Sequence, residues 1–236
     1  MRESIILPTY NERVNIGALI REILEKVNPA EVIVVDDDSP DRTWEVVRDF
    51  GDPRVRLIRR INERGLTSAI NEGISASKGD AVVWMDCDFS MPPAVIPELL
   101  GAVEEYDIAI GSRYIGNAKD DRDSLRERIG SWMINRLARF LLDSSINDYT
   151  SGFIAARKNV FKSGSGSETD LRGDYGEYCI DFLYRAKRKG FTIKEIPYIC
   201  VTRRHGESKT ATSLFKYIKR GMSYISTILK LRFSRS

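Results

Sequence analysis

Two carboxylates stand one residue apart in Asp86-Cys87-Asp88, directly after an apolar run that ends at Met85. If that run is a strand, its side chains alternate, so Asp86 and Asp88 leave one face of a sheet edge while Cys87 turns back. An all-oxygen pair of carboxylates concentrates negative charge and suits a hard divalent cation, Mg²⁺ or Mn²⁺, of the kind that bridges to a diphosphate. The plainer reading is a pair of turn-capping aspartates.

A second acidic run, Asp36-Asp37-Asp38-Ser39-Pro40-Asp41, closes another apolar stretch. Ser39 or Asp41 can cap a following helix, but three preceding carboxylates repel one another unless cations or donors face them. In Pro8-Thr9-Tyr10-Asn11-Glu12, Tyr10 could stack on a base and Glu12 could accept hydrogen bonds from the base or a ribose; the same residues would serve as a loop opening a helix. Arg203-Arg204-His205-Gly206-Glu207-Ser208-Lys209 offers fixed positive charge to a phosphate or diphosphate, or else forms a solvated basic turn. His205 is the only histidine, and no Ser or Cys nucleophile motif surrounds it, so it supports no catalytic triad. Neither GxGxxG nor the P-loop pattern occurs, so a nucleotide bound here would have its phosphates held by carboxylates and metal.

These residues need a scaffold that gathers them. Short β-branched runs at 4–8, 31–36, 54–58, 81–86 and 107–112 alternate with helical periodicity, as in Val14, Leu19, Ile20, Ile23, Leu24 and Val27. Repeated βαβ predicts an α/β fold with a mostly parallel central sheet and helices on both faces. In such sheets ligands gather at the carboxyl ends of the strands, near the point where strand order reverses. The strand ends here read PTYNE, DDDSPD, MDCDFS and GSRY. From about residue 116 the character changes to a charged loop, a long helix from Ser124 to about Leu142, a Gly/Ser-rich segment, a helix near 177–189 and strands near 192–203. No Pro- or Gly-rich linker intervenes, so residues 1–212 are expected to form one domain of two halves, 1–115 and 116–212, with the site between them.

With 42% apolar residues in 236, the chain can bury a core, which excludes wholesale disorder. The absence of repeats excludes solenoid and fibrous classes. Stretches free of Asp, Glu, Lys and Arg, such as Gly221 to Leu229, fall far short of the roughly 20 apolar residues that span a bilayer. Cys87, Cys179 and Cys200 lack CxxC spacing, and the first residues lack a secretory pattern; both point to a reducing, cytoplasmic setting.

The net charge of +3 hides an asymmetry: residues 201–236 hold nine Lys/Arg against Glu207 alone. Residues 213–236 are expected to form an amphipathic helix, with Leu214, Ile218, Met222, Ile225 and Leu229 on one face and Lys216, Lys219, Arg220 and Lys230 opposite. It suits either a helix docked on the body with a solvated basic face or one lying on an anionic membrane surface.

Taken together, LPTYNE, VVDDDSPDRT, ERGLTSAINEGISASKGD, WMDCDFSMPP, IAIGSRYIGN, DYTSGFIAARKNVF and FTIKEIPYICVTRRHGESK run in a familiar order over residues 3 to 215. The chain resembles the inverting family 2 glycosyltransferases of GT-A fold, and within them the dolichol-phosphate mannose synthases. That resemblance implies that Pro8, Tyr10, Glu12, Val35 and Asp37 border the nucleotide, that Asp86, Cys87, Asp88 and Ser90 form the metal and diphosphate segment, and that Arg203 and Lys209 close over the donor. Asp86, Asp88 and Ser90 would hold Mg²⁺ or Mn²⁺, with Asp88, Asp86 and Arg203 carrying catalysis. Arg113, Ser131 and a basic residue on the long helix would meet an acceptor phosphate. Glu127 stands where a basic residue is expected, with Arg126 and Arg128 on either side; Arg128 is the candidate. Members often continue into transmembrane helices.

The expected function is therefore metal-dependent, inverting transfer of a hexose, mannose from GDP-mannose by resemblance, to a polyprenyl or dolichyl phosphate. The enzyme would sit peripherally on the cytoplasmic face of a membrane, held by the C-terminal basic helix. Competing readings are a UDP-sugar enzyme acting on a polyprenyl phosphate, or on a saccharide with Glu177 or Asp181 as base; a nucleotidyltransferase, whose Gly-rich N-terminal loop is missing; and a nucleic-acid or membrane adaptor. An adaptor leaves the acidic strand ends unexplained, so no nucleic-acid partner is expected.

Overall fold

The computed structural model describes residues 1–161, 170–205 and 214–234; Lys209 and its neighbours in the basic loop lie outside the described residues, as do the side chains of Leu214, Lys216 and Ile218. Seven strands form one sheet: β1 (Glu3–Thr9), β2 (Glu31–Asp36), β3 (Val55–Arg59), β4 (Ala81–Trp84), β5 (Ile108–Ser112), β7 (Ile154–Arg157) and β8 (Ile193–Pro197). Their order is β3-β2-β1-β4-β7-β5-β8. All neighbours run parallel except β7, which is antiparallel to both β4 and β5. A separate parallel pair joins β6 (Lys119–Asp121) to β9 (Ile199–Val201).

β2, EVIVVD, is buried at every position, as a central parallel strand covered on both faces must be. One covering layer comprises α1 (Arg13–Lys26), α2 (Thr43–Arg48) and α4 (Ile96–Ala102), whose Ile16, Leu19, Ile20, Ile23, Ile96 and Leu99 pack on Ile5, Val32 and Val83. On the other face α3 (Leu66–Ala76), α5 (Leu125–Leu141), α6 (Glu177–Arg188) and α7 (Leu214–Phe233) gather around Trp84 and Ile154. Ser124 caps α5 by accepting a 3.3 Å bond from the Glu127 amide, the Ser-x-x-Glu spacing of a capping box.

Strand order reverses between β1 and β4, and register brings the strand ends level there. Thr9 lies opposite Asp36, and Ile6 opposite Trp84, so Pro8–Glu12, Asp36–Asp41 and Asp86–Asp88 leave the sheet at one edge. β5 delivers Arg113 to the same edge.

Two strands were not legible as such. β7 has the sequence IAAR, too short and small-residued for a strand pattern, and its direction follows from its place between β4 and β5. β6 is KDD inside a charged loop, and only its pairing with β9 makes it a strand.

Gly79 sits where the chain enters β4. A Cβ there would lie 2.8 Å from both the Ser4 nitrogen and the Ala81 carbonyl oxygen, whereas one at Gly101 in α4 would meet nothing within 4 Å. Gly79→Ala is expected to cost about 1–3 kcal/mol through overpacking, and Gly101→Ala to gain roughly 0.5–1 kcal/mol through helix propensity. Denaturant midpoints of the two variants check the pair; equal midpoints would contradict the packing described.

Candidate active site

A cavity of about 950 Å³ opens at the switch point. Its donor side is walled by Pro8, Tyr10, Glu12, Asp37 and the Asp86–Asp88 segment, and its far side by residues of α5, α6 and α7.

The side chains of Asp86 and Asp88 face this cavity, Asp86 exposed and Asp88 nearly buried. Cys87 turns back into the α1-side core, with its thiol 3.5 Å from the Pro8 carbonyl. Asp88 is fixed from three directions. Its Oδ1 accepts the Ser90 amide at 3.0 Å, its carbonyl accepts the Arg204 amide at 2.9 Å, and its Oδ2 lies 2.9 Å from an Arg203 guanidinium nitrogen. The basic loop is thus already stitched to the acidic segment, and the His205 carbonyl accepts a 3.2 Å bond from Asn15 on α1. Phe89 between them has φ 67°, a conformation that costs a bulky residue energy. Arg204 covers its ring at 4.0 Å.

The triple aspartate resolves into three separate jobs. Asp36 accepts hydroxyl bonds from Thr9 at 2.9 Å and Ser39 at 2.7 Å, locking β1 to the following turn. Asp37 accepts 2.6 Å from the buried Arg60 and 2.8 Å from the Gly65 amide, holding the loop ahead of α3. Asp38 pairs with Arg59 at 2.6 Å. Helix-start bonding falls to Asp41, which accepts from the Thr43 amide at 2.9 Å. Glu12 is buried beside Asn15, whose amide donates to it at 2.9 Å, and Arg64 lies 4.7 Å over the ring of Tyr10.

Val35, by contrast, has its side chain wholly in the α3-side core, so it can border a nucleotide only through its backbone. Pro8, Tyr10, Glu12, Asp37, Cys87 and Ser90 all line the cavity.

In the acceptor half, Arg113 and Ser131 reach the cavity wall; Arg128 is not among the residues that line it. Arg113 is buried and engaged: its Nε and Nη2 each donate 2.8 Å bonds to Asp148, and Nη2 donates 2.7 Å to Thr150. Burial works against its charge, yet Asp148 holds the guanidinium pKa well above its ordinary value. Arg122, which sequence reasoning passed over as part of a charged loop, also lines the cavity. It donates 2.8 Å and 2.6 Å bonds to Asp120 and 3.0 Å to Ser131.

Neither alternative base is placed to act as one. Asp181 pairs with Arg185 at 2.8 Å on α6, and Glu177 is buried with its Oε1 accepting 3.0 Å from Ser223 of α7; neither lines the cavity. Burial pushes the Cys200 thiol up to about 11 and Cys179 higher still, which disfavours the thiolate form of both.

α7 packs on α5 and α6 with an unexpected orientation. Arg220, Gly221 and Tyr224 line the cavity and Ile228 is fully buried, while Met222, Ile225 and Leu229 are exposed. The apolar stripe therefore faces outward, and one residue of the basic set faces in.

Asp86 and Asp88 supply a donor set that fits a hard divalent ion. The described residues hold no group of three or more His, Cys, Asp or Glu in metal-binding proximity, so the two carboxylates leave most of an octahedral shell to other oxygens, as a diphosphate provides. Arg203 against Asp88 shows that this carboxylate already takes a cationic partner.

Residues 4–164 match the glycosyl transferase family 2. The chain belongs to that family, and it is a glycosyltransferase. It is 38% identical to a dolichol-phosphate mannosyltransferase of Pyrococcus furiosus, over 93% of this chain and 62% of that protein. The chain thus spans less than two thirds of the length of this archaeal relative. A polyprenol monophosphomannose synthase of Mycolicibacterium smegmatis is 35% identical over 90% of this chain and 82% of its own. An undecaprenyl-phosphate mannosyltransferase of Micrococcus luteus is 34% identical over 89% and 87%. Glucosyl-3-phosphoglycerate synthase of Mycobacterium tuberculosis, crystallised with Mn²⁺ and UDP, superposes with a TM-score of 0.73 over all of this chain and 81% of its own. At 20% identity it confirms the GT-A fold expected from the sequence, and the fold alone.

The cavity's far wall depends on Asp148. Asp148→Ala strands the buried Arg113 charge and is expected to lower stability by about 3–5 kcal/mol, read from denaturant melts. A loss within the error of the melts would contradict the role given to this pair.

Proposed function

We propose that this glycosyltransferase moves a mannosyl group from GDP-mannose to a polyprenyl phosphate, with inversion and with the help of Mg²⁺ or Mn²⁺. The observation that carries the reading is the Asp86/Asp88 pair at the cavity, with the Arg203 guanidinium laid 2.9 Å from Asp88. Relatives named as mannosyltransferases to polyprenyl phosphates, at 34–38% identity, support the substrate class.

On this reading Tyr10 and Glu12 meet the nucleoside, and the diphosphate lies against Asp86, Asp88, Ser90 and Arg203. The metal, when bound by Asp86 and Asp88, offsets charge on the leaving diphosphate. Arg203, shifting from Asp88 toward the phosphates, adds a guanidinium to the same task, and Lys209 belongs to the same loop. An acceptor phosphate oxygen forms the new bond to the anomeric carbon as the bond to GDP breaks, and that electron pair leaves on the diphosphate. A phosphate monoester has its second pKa near 6, so it attacks ionised and needs no proton removed. This matches a cleft in which Glu177 and Asp181 are engaged elsewhere.

A lipid acceptor also gives the exposed apolar residues a use. No helix among the described residues is long and apolar enough to cross a membrane. On α5, Trp132, Met133 and Phe140 are exposed, Phe140 to 85%, and on α7 Met222 reaches 65% beside Ile225 and Leu229. Exposed Lys219, Lys230 and Arg232 lie on the same helix. Apolar side chains flanked by cations suit an anionic bilayer surface, and three free, buried cysteines suit its cytoplasmic side.

Calorimetric titration with GDP and UDP, each with and without Mn²⁺, tests the donor assignment. GDP binding that requires both Mn²⁺ and Asp88, and is lost in Asp88→Ala, is the expected result; preference for UDP, or binding indifferent to metal, contradicts it. Arg203→Ala is expected to lower kcat by about 100-fold, the scale of removing one preorganised donor from developing charge. For the membrane, replacing Lys219, Lys230 and Arg232 with Gln should remove roughly 1 kcal/mol per residue of attraction to phosphatidylserine vesicles. Unchanged sedimentation with vesicles would contradict the surface assigned.

A further inference from the structure

The cations around the acceptor side of the cavity are mostly spent. Arg113 gives Nε and Nη2 to Asp148 and Thr150, with Nη1 3.8 Å from Asp120, and Arg122 gives Nε and Nη2 to Asp120 and Ser131, with Nη1 3.5 Å from Glu127. Arg113 and Arg122 together are neutralised by Asp148 and Asp120, the latter held below its usual range against burial by its bonds to Arg122. A dianionic phosphate entering this half would meet two guanidinium groups already paired with carboxylates.

Arg220 is different. Its guanidinium carbon lies 3.9 Å over the ring of Tyr175, and both residues line the cavity. It forms no ion pair among the described residues, and its Nη1 is buried without a hydrogen-bond partner. A desolvated guanidinium nitrogen without an acceptor is unfavourable, and a small shift of the side chain toward an oxyanion in the cavity would relieve it. Stacking on Tyr175 fixes the plane of the guanidinium and leaves its N–H edge for a planar or tetrahedral oxyanion.

Position on the helix adds a second argument. Arg220, Gly221, Tyr224 and Ile228 follow one side of α7, and exposed Met222, Ile225 and Leu229 follow the other. An α-helix is about 10–12 Å across. A phosphate seated on Arg220 would therefore lie about one helix diameter from the apolar stripe assigned to the bilayer surface.

We propose that Arg220 binds the phosphate of the lipid acceptor, with Tyr175 holding its guanidinium, so that one helix sets both the membrane contact and the depth of the acceptor in the cleft. This rests on the lipid-phosphate reading above. Arg220 is a binding residue for the acceptor, whereas Tyr175 positions it.

The test uses the full chain with farnesyl phosphate in detergent micelles, with farnesol and inorganic phosphate as comparison ligands. In Arg220→Gln the affinity for farnesyl phosphate is expected to fall by about 10-fold or more, the scale of a lost charge-assisted bond. KM for farnesyl phosphate should rise in step while KM for the sugar donor stays unchanged, and Arg220→Lys should recover part of the loss. Farnesol should bind all three forms alike, and inorganic phosphate should bind more weakly than the lipid phosphate. Unchanged affinity in Arg220→Gln overturns the proposal, as does a loss shared equally by donor and acceptor with a lowered melting temperature. If the wild-type protein binds farnesyl phosphate through Arg220 yet transfers no sugar to it, the transferase reading fails and this one stands. If transfer proceeds equally well without Arg220, the reverse holds.

Discussion

A buried carboxylate, Asp148, and a half-buried one, Glu195, organise the half of the molecule that has no regular βαβ logic. Asp148 accepts bonds from the Arg113 amide at 3.0 Å and its guanidinium at 2.8 Å, and from Asn135 of α5 at 3.3 Å. Glu195 of β8 in turn accepts the amides of Asn147 at 2.9 Å and Asp148 at 3.0 Å. The end of β5, the middle of α5, the loop ahead of β7 and the edge strand β8 are thereby tied at one point. Because α7 packs on α5 and α6, the far wall of the cleft inherits its position from this network. A charge buried as deeply as that of Arg113 is tolerable only when paired, and Asp148 supplies that pairing.

The donor half follows a different economy. Its acidic residues are gathered at strand ends, where they would repel, and each of the aspartates after β2 has been given its own partner: hydroxyls for Asp36, Arg60 for Asp37, Arg59 for Asp38. The Asp86/Asp88 pair faces the cavity beside Glu12 and Asp37, with Arg203 laid against Asp88 at 2.9 Å. A carboxylate that takes a guanidinium at rest can exchange it for a cation and diphosphate, and the guanidinium can follow the phosphates. On the proposed function, that exchange would link donor arrival to movement of the Arg203 side chain.

Much of this was legible because the physics is local. β1, β2, β4 and β5 announce themselves as β-branched runs, and the alternation along Met85-Asp86-Cys87-Asp88 correctly sends Cys87 into the core and the two aspartates to the cleft. α5 was expected from Ser124 to about Leu142 and runs over Leu125–Leu141. What was not legible depended on partners distant in sequence. Asp37 looked like a nucleotide contact alone until Arg60 showed it also anchors a loop. Arg122 was masked by neighbouring charges, and β7 by its four small residues. For α7 two readings stood open, because a helical wheel shows an apolar stripe but not whether protein or another surface covers it. Here Tyr224 and Ile228 do the docking and the stripe is left outside.

A cleft with paired carboxylates at one end and an exposed apolar helix face at the other suits the proposed acceptor, one that is already charged and carries an apolar tail. The most direct test is product analysis: the full chain, Mn²⁺, polyprenyl phosphate in anionic vesicles, and GDP-mannose or UDP-glucose, with lipids resolved by mass spectrometry and anomeric configuration by NMR. The account predicts a mannosyl phosphoryl lipid of inverted configuration, formed from GDP-mannose only when metal is present. Retention of configuration, transfer to a saccharide hydroxyl, or a product made from UDP-glucose alone would contradict it.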